Sequence, residues 1–312
     1  MVLILCTSTI VSCTAPSKNT SSTITPTSTI STSGWTSQEN PASYPGELLC
    51  VWGTSSSDVF AVGFQGVIIH YDGKMWNNMT SGTTNDLSGV WGMSSSDVFA
   101  VGNSGTILHY DGKTWSQIVS GTSVDLGRVW GSSSSDIFAV AGSGAIQHYD
   151  GKAWSGMTIN VPTNWFYDVW GTSLSDVFAV GTGGTILHYD GKAWNNMPSG
   201  TTNTIGGIWG SSSSDVFAVG AGGTILHYDG HKWSNMHSGI TNPVGSIWGS
   251  SSSDVFAVGA GGTILHYDGN KWTNVSSGTT DTLISVWGSS ASDVFTVGGT
   301  ENGSIILHYS GQ

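Results

Sequence analysis

Seven tryptophans set the period of this chain: Trp52, Trp91, Trp130, Trp170, Trp209, Trp248 and Trp287. The steps between them are 39, 39, 40, 39, 39 and 39 residues. Each stands in nearly the same phrase: VWG, a serine run, DVFAVG, a glycine pair, TILHYDGK and then a second Trp. A fixed period of roughly 20–50 residues marks stacked copies of one supersecondary unit, because a single copy cannot bury its apolar face alone. The repeat therefore constrains architecture closely and leaves the ligand open.

Residues 205–244 show what one copy encodes. IGGIWG at 205–210 favours a strand, and the serines at 211–214 with Asp215 make a turn, since Ser and Asp side chains hydrogen-bond nearby backbone amides. Residues 215–220, DVFAVG, carry no charge after the first position and read as a second strand. A reversal at 221–223 leads to a third strand at 224–229. Asp229-Gly230 is a strong hairpin signal, and 232–236 form the fourth strand. No helical period competes with this pattern. The VFAV core is apolar on both faces, as in strands covered from both sides. Small four-stranded sheets stacked radially satisfy that demand and leave only short edges. The fold class expected is all-β: a seven-bladed β-propeller of four-stranded antiparallel blades.

The ends of the repeat array predict how the ring closes. Six copies contain a second Trp (Trp76, Trp115, Trp154, Trp194, Trp233 and Trp272), whereas the seventh runs SIILHYSGQ and stops without one. Trp35, in SGWTSQ, precedes Trp52 by 17 residues and supplies the missing residue type. Residues 33–38 are therefore expected to form the outer strand of the last blade, leaving no open edge. The domain organisation follows: 1–13 a leader, 14–34 a linker and 35–312 the propeller.

The phrase YDGKTW resembles the Asp-box (BNR repeat) of sialidase-like propellers, one residue shorter than S-x-D-x-G-x-T-W. The wider phrase VWG…DVFAVG…GTILHYDGK-x-W is similar to the repeat of photosystem-II-assembly-factor-like and BNR-type seven-bladed propellers, within the broader WD40/YVTN-like group. That resemblance spans 35–312 and implies the fold; it does not select among lectin, assembly factor, enzyme and scaffold. It also implies that the Asp-box is a structural turn on the blade rim.

Residues 1–13, MVLILCTSTIVSC, hold an apolar run shorter than the ~20 residues that span a bilayer. The run resembles a signal-peptide hydrophobic region, although no Lys or Arg precedes Lys18. Ile10-Val11-Ser12-Cys13 resembles the bacterial lipobox, so lipidation at Cys13 is expected, with the Ser/Thr-rich stretch 14–34 as a tether. The expected location is extracytoplasmic, at the cell surface or in the periplasm, with membrane contact only through that anchor. Cys50 would then be the one cysteine of the domain, as a small buried residue.

Charge narrows the function classes. The formal net charge is −12, with eight basic residues of which one, Arg128, is arginine. Nucleic acid needs clustered Lys/Arg and is excluded as a partner. By resemblance, a sialidase would need three arginines to hold its substrate carboxylate. A glycosidase needs a carboxylate pair at a set spacing, and no copy carries an unmatched pair. The chain is read as non-catalytic and monomeric, with no cofactor. Seven histidines recur once per copy (His70, His109, His148, His188, His227, His266 and His308). Equivalent places in different blades lie too far apart for zinc, whose ligands sit within about 2–2.3 Å of the metal, so structural hydrogen bonds are expected and no metal site. One Asp per hairpin likewise falls short of the roughly six to eight oxygens calcium prefers.

Positions that break the symmetry carry the functional expectation. The loop between the third and fourth copies, 158–168, replaces the usual SGTTN and brings the extra aromatic Trp165. Two places before each marker Trp stand Cys50, Gly89, Arg128, Asp168, Gly207, Ser246 and Ser285, which should ring the mouth of the central channel. Arg128 and Asp168 are neighbours there, with Trp165 and Tyr167 beside them. This set is the expected binding patch for a protein partner or, alternatively, a glycan; the other reading is a plain salt bridge under a decorated loop. Phe166 aligns with Leu126 and Ile205 and is expected in the core.

Overall fold

The computed structural model describes residues 34–41, 46–159, 165–300 and 303–311. The expected leader and nearly all of the linker, including Cys13, lie outside the described residues, as do 160–164 of the symmetry-breaking loop. Seven four-stranded antiparallel sheets follow one another along the chain. Blades 1 to 6 occupy 48–79, 87–118, 126–156, 166–197, 205–236 and 244–275; blade 7 occupies 282–310 and takes its fourth strand from Trp35–Ser37. In each blade the first strand is innermost and the fourth is outermost.

The closing strand forms where the sequence placed it. Trp35 pairs with Tyr309, Thr36 with His308 and Ser37 with Leu307. Gln38 N–H extends the ladder to Ile306 O at 2.9 Å. Trp35 is 1% exposed and packs edge-on against Phe256 of blade 6, with ring centroids 6.2 Å apart. Asn78, on the outer strand of blade 1, then donates to Pro41 O at 2.8 Å and ties the same segment to the next blade.

The core lies between blades rather than inside any of them. Successive strand residues point to opposite faces. Val59 and Ala61 therefore join a cluster with Phe295 and Val297 of blade 7, while Phe60 and Val62 join one with Leu87, Val98 and Trp115 of blade 2. This explains why VFAV is apolar throughout. The WG dipeptide follows the same alternation. Trp52 projects toward blade 2, where a methyl group on Gly92 would stand 2.8 Å from Trp52 Cη2. Gly53 faces the other way and receives Trp287 of blade 7, again at 2.8 Å. All seven marker tryptophans make this contact with the next blade's glycine.

The repeated histidines and aspartates are structural, as the sequence suggested. In blade 1, His70 Nε2 lies 2.7 Å from Asp58 Oδ1, and Thr54 Oγ1 donates to Asp58 Oδ2. The histidine ring packs at a tilt against Phe60, with ring centroids 4.4 Å apart. Blade 2 lacks the hydroxyl donor because Met93 stands at the place of Thr54. The second aspartate series closes the hairpins: Asp72 Oδ1 accepts from Lys74 N and Met75 N, both at 2.9 Å, and these bonds hold its carboxyl below the usual range. Among the described residues no group of three or more His, Cys, Asp or Glu is placed to hold a metal.

Because the closing strand is packed like any internal outer strand, Trp35→Ala should cost about 3–5 kcal/mol in denaturant unfolding, the range for truncating a buried aromatic. Trp115→Ala should cost a similar amount. A negligible loss at Trp35 alone would mean that the ring does not depend on its seal.

Candidate functional site

The seven innermost strands line the central channel, and each begins with a bulge. In blade 4, Phe166 pairs with Gly181 and Asp168 with Val180, leaving Tyr167 as the extra residue. The bulge turns two successive positions toward the channel mouth and the following blade. In chain order these positions are Leu49-Cys50, Ser88-Gly89, Gly127-Arg128, Tyr167-Asp168, Gly206-Gly207, Gly245-Ser246 and Ile284-Ser285. Innermost strands have an unpaired edge, whose backbone groups need partners. Ring side chains supply three of them. Ser285 Oγ accepts from Val51 N at 3.2 Å, Ser246 Oγ from Val286 N at 3.2 Å, and Asp168 Oδ2 from Ile208 N at 3.0 Å.

Arg128 and Asp168 are ring neighbours, as expected, but they are not joined by a salt bridge. Arg128 sends its guanidinium across the mouth, donating from Nη1 to Ser88 O and from Nη2 to Leu49 O, the latter at 3.1 Å. Asp168 directs Oδ1 to its neighbour Val169 N at 2.9 Å and Oδ2 to blade 5. Withdrawal from water raises the Asp168 carboxyl pKa to about 6; the Arg128 charge and the two backbone N–H groups oppose that rise without cancelling it. Burial also raises the Tyr167 hydroxyl above its ordinary value.

Trp165 takes the place that Asp86, Asp125 and Thr204 hold in other blades. Its carbonyl accepts Thr182 N–H at 2.9 Å, as Asp86 O accepts Asn103 N–H and Thr204 O accepts Ala221 N–H at the same distance. Its own N–H donates to Thr182 Oγ1 at 3.2 Å. The indole lies back over blade 3, where a methyl group on Gly142 would stand 3.0 Å from Cε3 and 3.1 Å from Cζ3. Glycine lets the ring rest on backbone, and the residue remains 49% exposed. Phe166, by contrast, is 2% exposed and belongs to the core between blades 3 and 4.

The sequence reading missed Gly142. Aligning the copies sets it against Phe64, Asn103, Thr182, Ala221 and Ala260, so the signal was present one blade away from the tryptophan it serves. Two shallow depressions, of about 770 and 760 Å³, lie at equivalent places on the rims of blades 4 and 1. They are lined mainly by Gly, Ser and Thr of the inter-blade loops and include none of the four expected site residues.

The pKa of Asp168 has a definite consequence for stability. A carboxyl whose folded pKa lies above its unfolded value favours the fold most when protonated, and that contribution is lost as pH rises through the folded pKa. The thermal midpoint of Asp168→Asn, minus that of the native chain, should therefore increase between pH 4 and pH 7. A difference that is flat with pH would show that the Asp168 carboxyl titrates as in the unfolded chain.

No family model and no curated protein matches this chain. Solved structures match its fold. YCF48 bound to D1 peptide superposes with a TM-score of 0.74 at 17% identity, covering 91% of this chain and 99% of that one. YCF48 from Cyanidioschyzon merolae gives 0.72 at 17%, covering 88% and 98%. The WD40 β-propeller domain of Doa1 gives 0.72 at 12%, covering 87% and 94%. The expected likeness to photosystem-II-assembly-factor-like propellers is thus met at the level of architecture: the chain is a seven-bladed β-propeller.

Proposed function

We propose that this chain is a non-catalytic binding propeller that takes a polypeptide segment on the face formed by the inter-blade loops and the turns between second and third strands. The observation that carries the reading is Trp165, a half-exposed indole seated on the Gly142 backbone. A large ring held by packing on one side, with its other side in water, gives contact area with little ordering cost, as in the aromatic anchors of protein interfaces. The same face bears the channel mouth with Arg128, Tyr167 and Asp168. The fold match to YCF48 in a structure with a bound peptide is in keeping with this use of the architecture.

Panning a phage-displayed dodecapeptide library on the full chain tests the reading. Enriched peptides should bind Trp165→Ala at least about tenfold more weakly, the effect of losing ~1.4 kcal/mol of interface contact. Peptides indifferent to Trp165, together with glycan-array binding that is lost on Trp165→Ala, would favour a lectin instead.

We also propose that the domain works outside the cytoplasm, on a Ser/Thr-rich tether anchored through Cys13. The support is the apolar stretch 1–13 and its lipobox-like end. Mass spectrometry of the mature protein should find an acylated Cys13 as its first residue. An intact Met1 counts against it.

A further inference from the structure

The mouth of the ring is covered on one side and open on the other. On blades 1 and 2 the mouth positions Leu49 and Ser88 are buried, and the Arg128 guanidinium reaches their carbonyls. On blades 5 and 6 the same positions are glycines. Gly206 is half-buried and Gly245 is exposed. A methyl group on Gly245 would meet no atom within 4 Å. Tyr167 and Asp168 border this open half from blade 4, and Ile284 borders it from blade 7.

Both faces of the ring are acidic: the far end holds the hairpin aspartates and those that face the histidines together with the lysines, whereas the loop face holds acids and, among the described residues, no lysine. Among the described residues the six lysines are Lys74, Lys113, Lys152, Lys192, Lys232 and Lys271, all at the hairpins between third and fourth strands. Those hairpins lie at the far end, where Gly73 packs on Ser57 of the turn between first and second strands. The loop face carries Glu47, Asp86, Asp125, Asp168 and Asp281, and its one arginine spends its guanidinium on carbonyl oxygens.

We infer that the partner's segment presents a lysine or arginine side chain that enters the open half of the mouth, over Gly206 and Gly245, and pairs with Asp168. This rests on the peptide-binding reading and names the chemistry of its partner. Each Asp168 oxygen accepts one backbone N–H, and a carboxylate oxygen has room for a second donor. The methylene stem of the incoming residue lies against Tyr167 and Ile284, filling space the glycines leave. Lacking lysines, the acidic loops favour a basic segment over an acidic one at this face.

The library peptides decide the matter. Enriched sequences should share one fixed Lys or Arg, and its replacement by Gln should weaken binding to the native chain about tenfold or more, a loss in keeping with measured couplings of close charge pairs. That difference should vanish on Asp168→Asn. It should also shrink on Gly245→Leu, a change for which the backbone has room and no positive φ. Trp165→Ala should weaken the Lys and Gln forms alike. Trp165-dependent peptides with no fixed basic residue, or a Lys-to-Gln loss that is the same on Asp168→Asn, would overturn this inference and leave peptide binding standing. If no peptide depends on Trp165, both readings fall.

Discussion

Everything in this ring depends on a tryptophan meeting a glycine. Each marker Trp reaches forward and lays its ring tip on the glycine that follows the next marker Trp. Because adjacent strand residues face opposite ways, every blade offers an indole on one side and a bare backbone on the other. The contact is head-to-tail, so it cannot satisfy itself within one blade or between two; it ends only when the last indole finds the first glycine. Trp287 over Gly53 is that ending. The Trp35 strand provides a second seal at the outer edge, on the same blade but on independent contacts.

The fold was legible because the period, strand pattern and turn chemistry agree in every copy. The missing second Trp of the seventh copy located the closing strand, which lies within the expected span 33–38. The alignment of Phe166 with Leu126 and Ile205 placed it in the core correctly. The candidate site was legible only as a set of positions. Arg128, Tyr167 and Asp168 do share the mouth, yet Arg128 bonds carbonyls 40 and 79 residues before it, and no sequence pattern announces a side chain that crosses a channel to reach backbone. Gly142 was readable in principle, but its meaning depends on a ring contributed by the neighbouring blade.

The repeated polar residues are consumed by the fold. Histidines face aspartates in all seven blades at 2.6–2.7 Å, and the hairpin aspartates are tied to backbone N–H groups. Chemistry repeated identically around a ring is thereby spent on holding it together. On the binding reading proposed above, recognition falls to residues that depart from the repeat on the loop face, Arg128, Trp165, Tyr167 and Asp168 among them.

Asp168 separates the two roles most sharply. Its structural task is to accept the N–H of the next blade's inner strand, from Ile208 at 3.0 Å. Ser246 and Ser285 perform the same task for Val286 and Val51, each at 3.2 Å, with a neutral hydroxyl. A serine at 168 would close that edge without a charge, whereas the aspartate brings one into surroundings that raise its pKa to about 6. Burial disfavours that charge, and the Arg128 charge with two backbone N–H groups offsets part of the cost. On the inference drawn above, that carboxylate and the space over Gly206 and Gly245 are what an incoming basic side chain uses, and a serine at 168 would keep the ring's edge bonded while removing the charge that such a side chain pairs with.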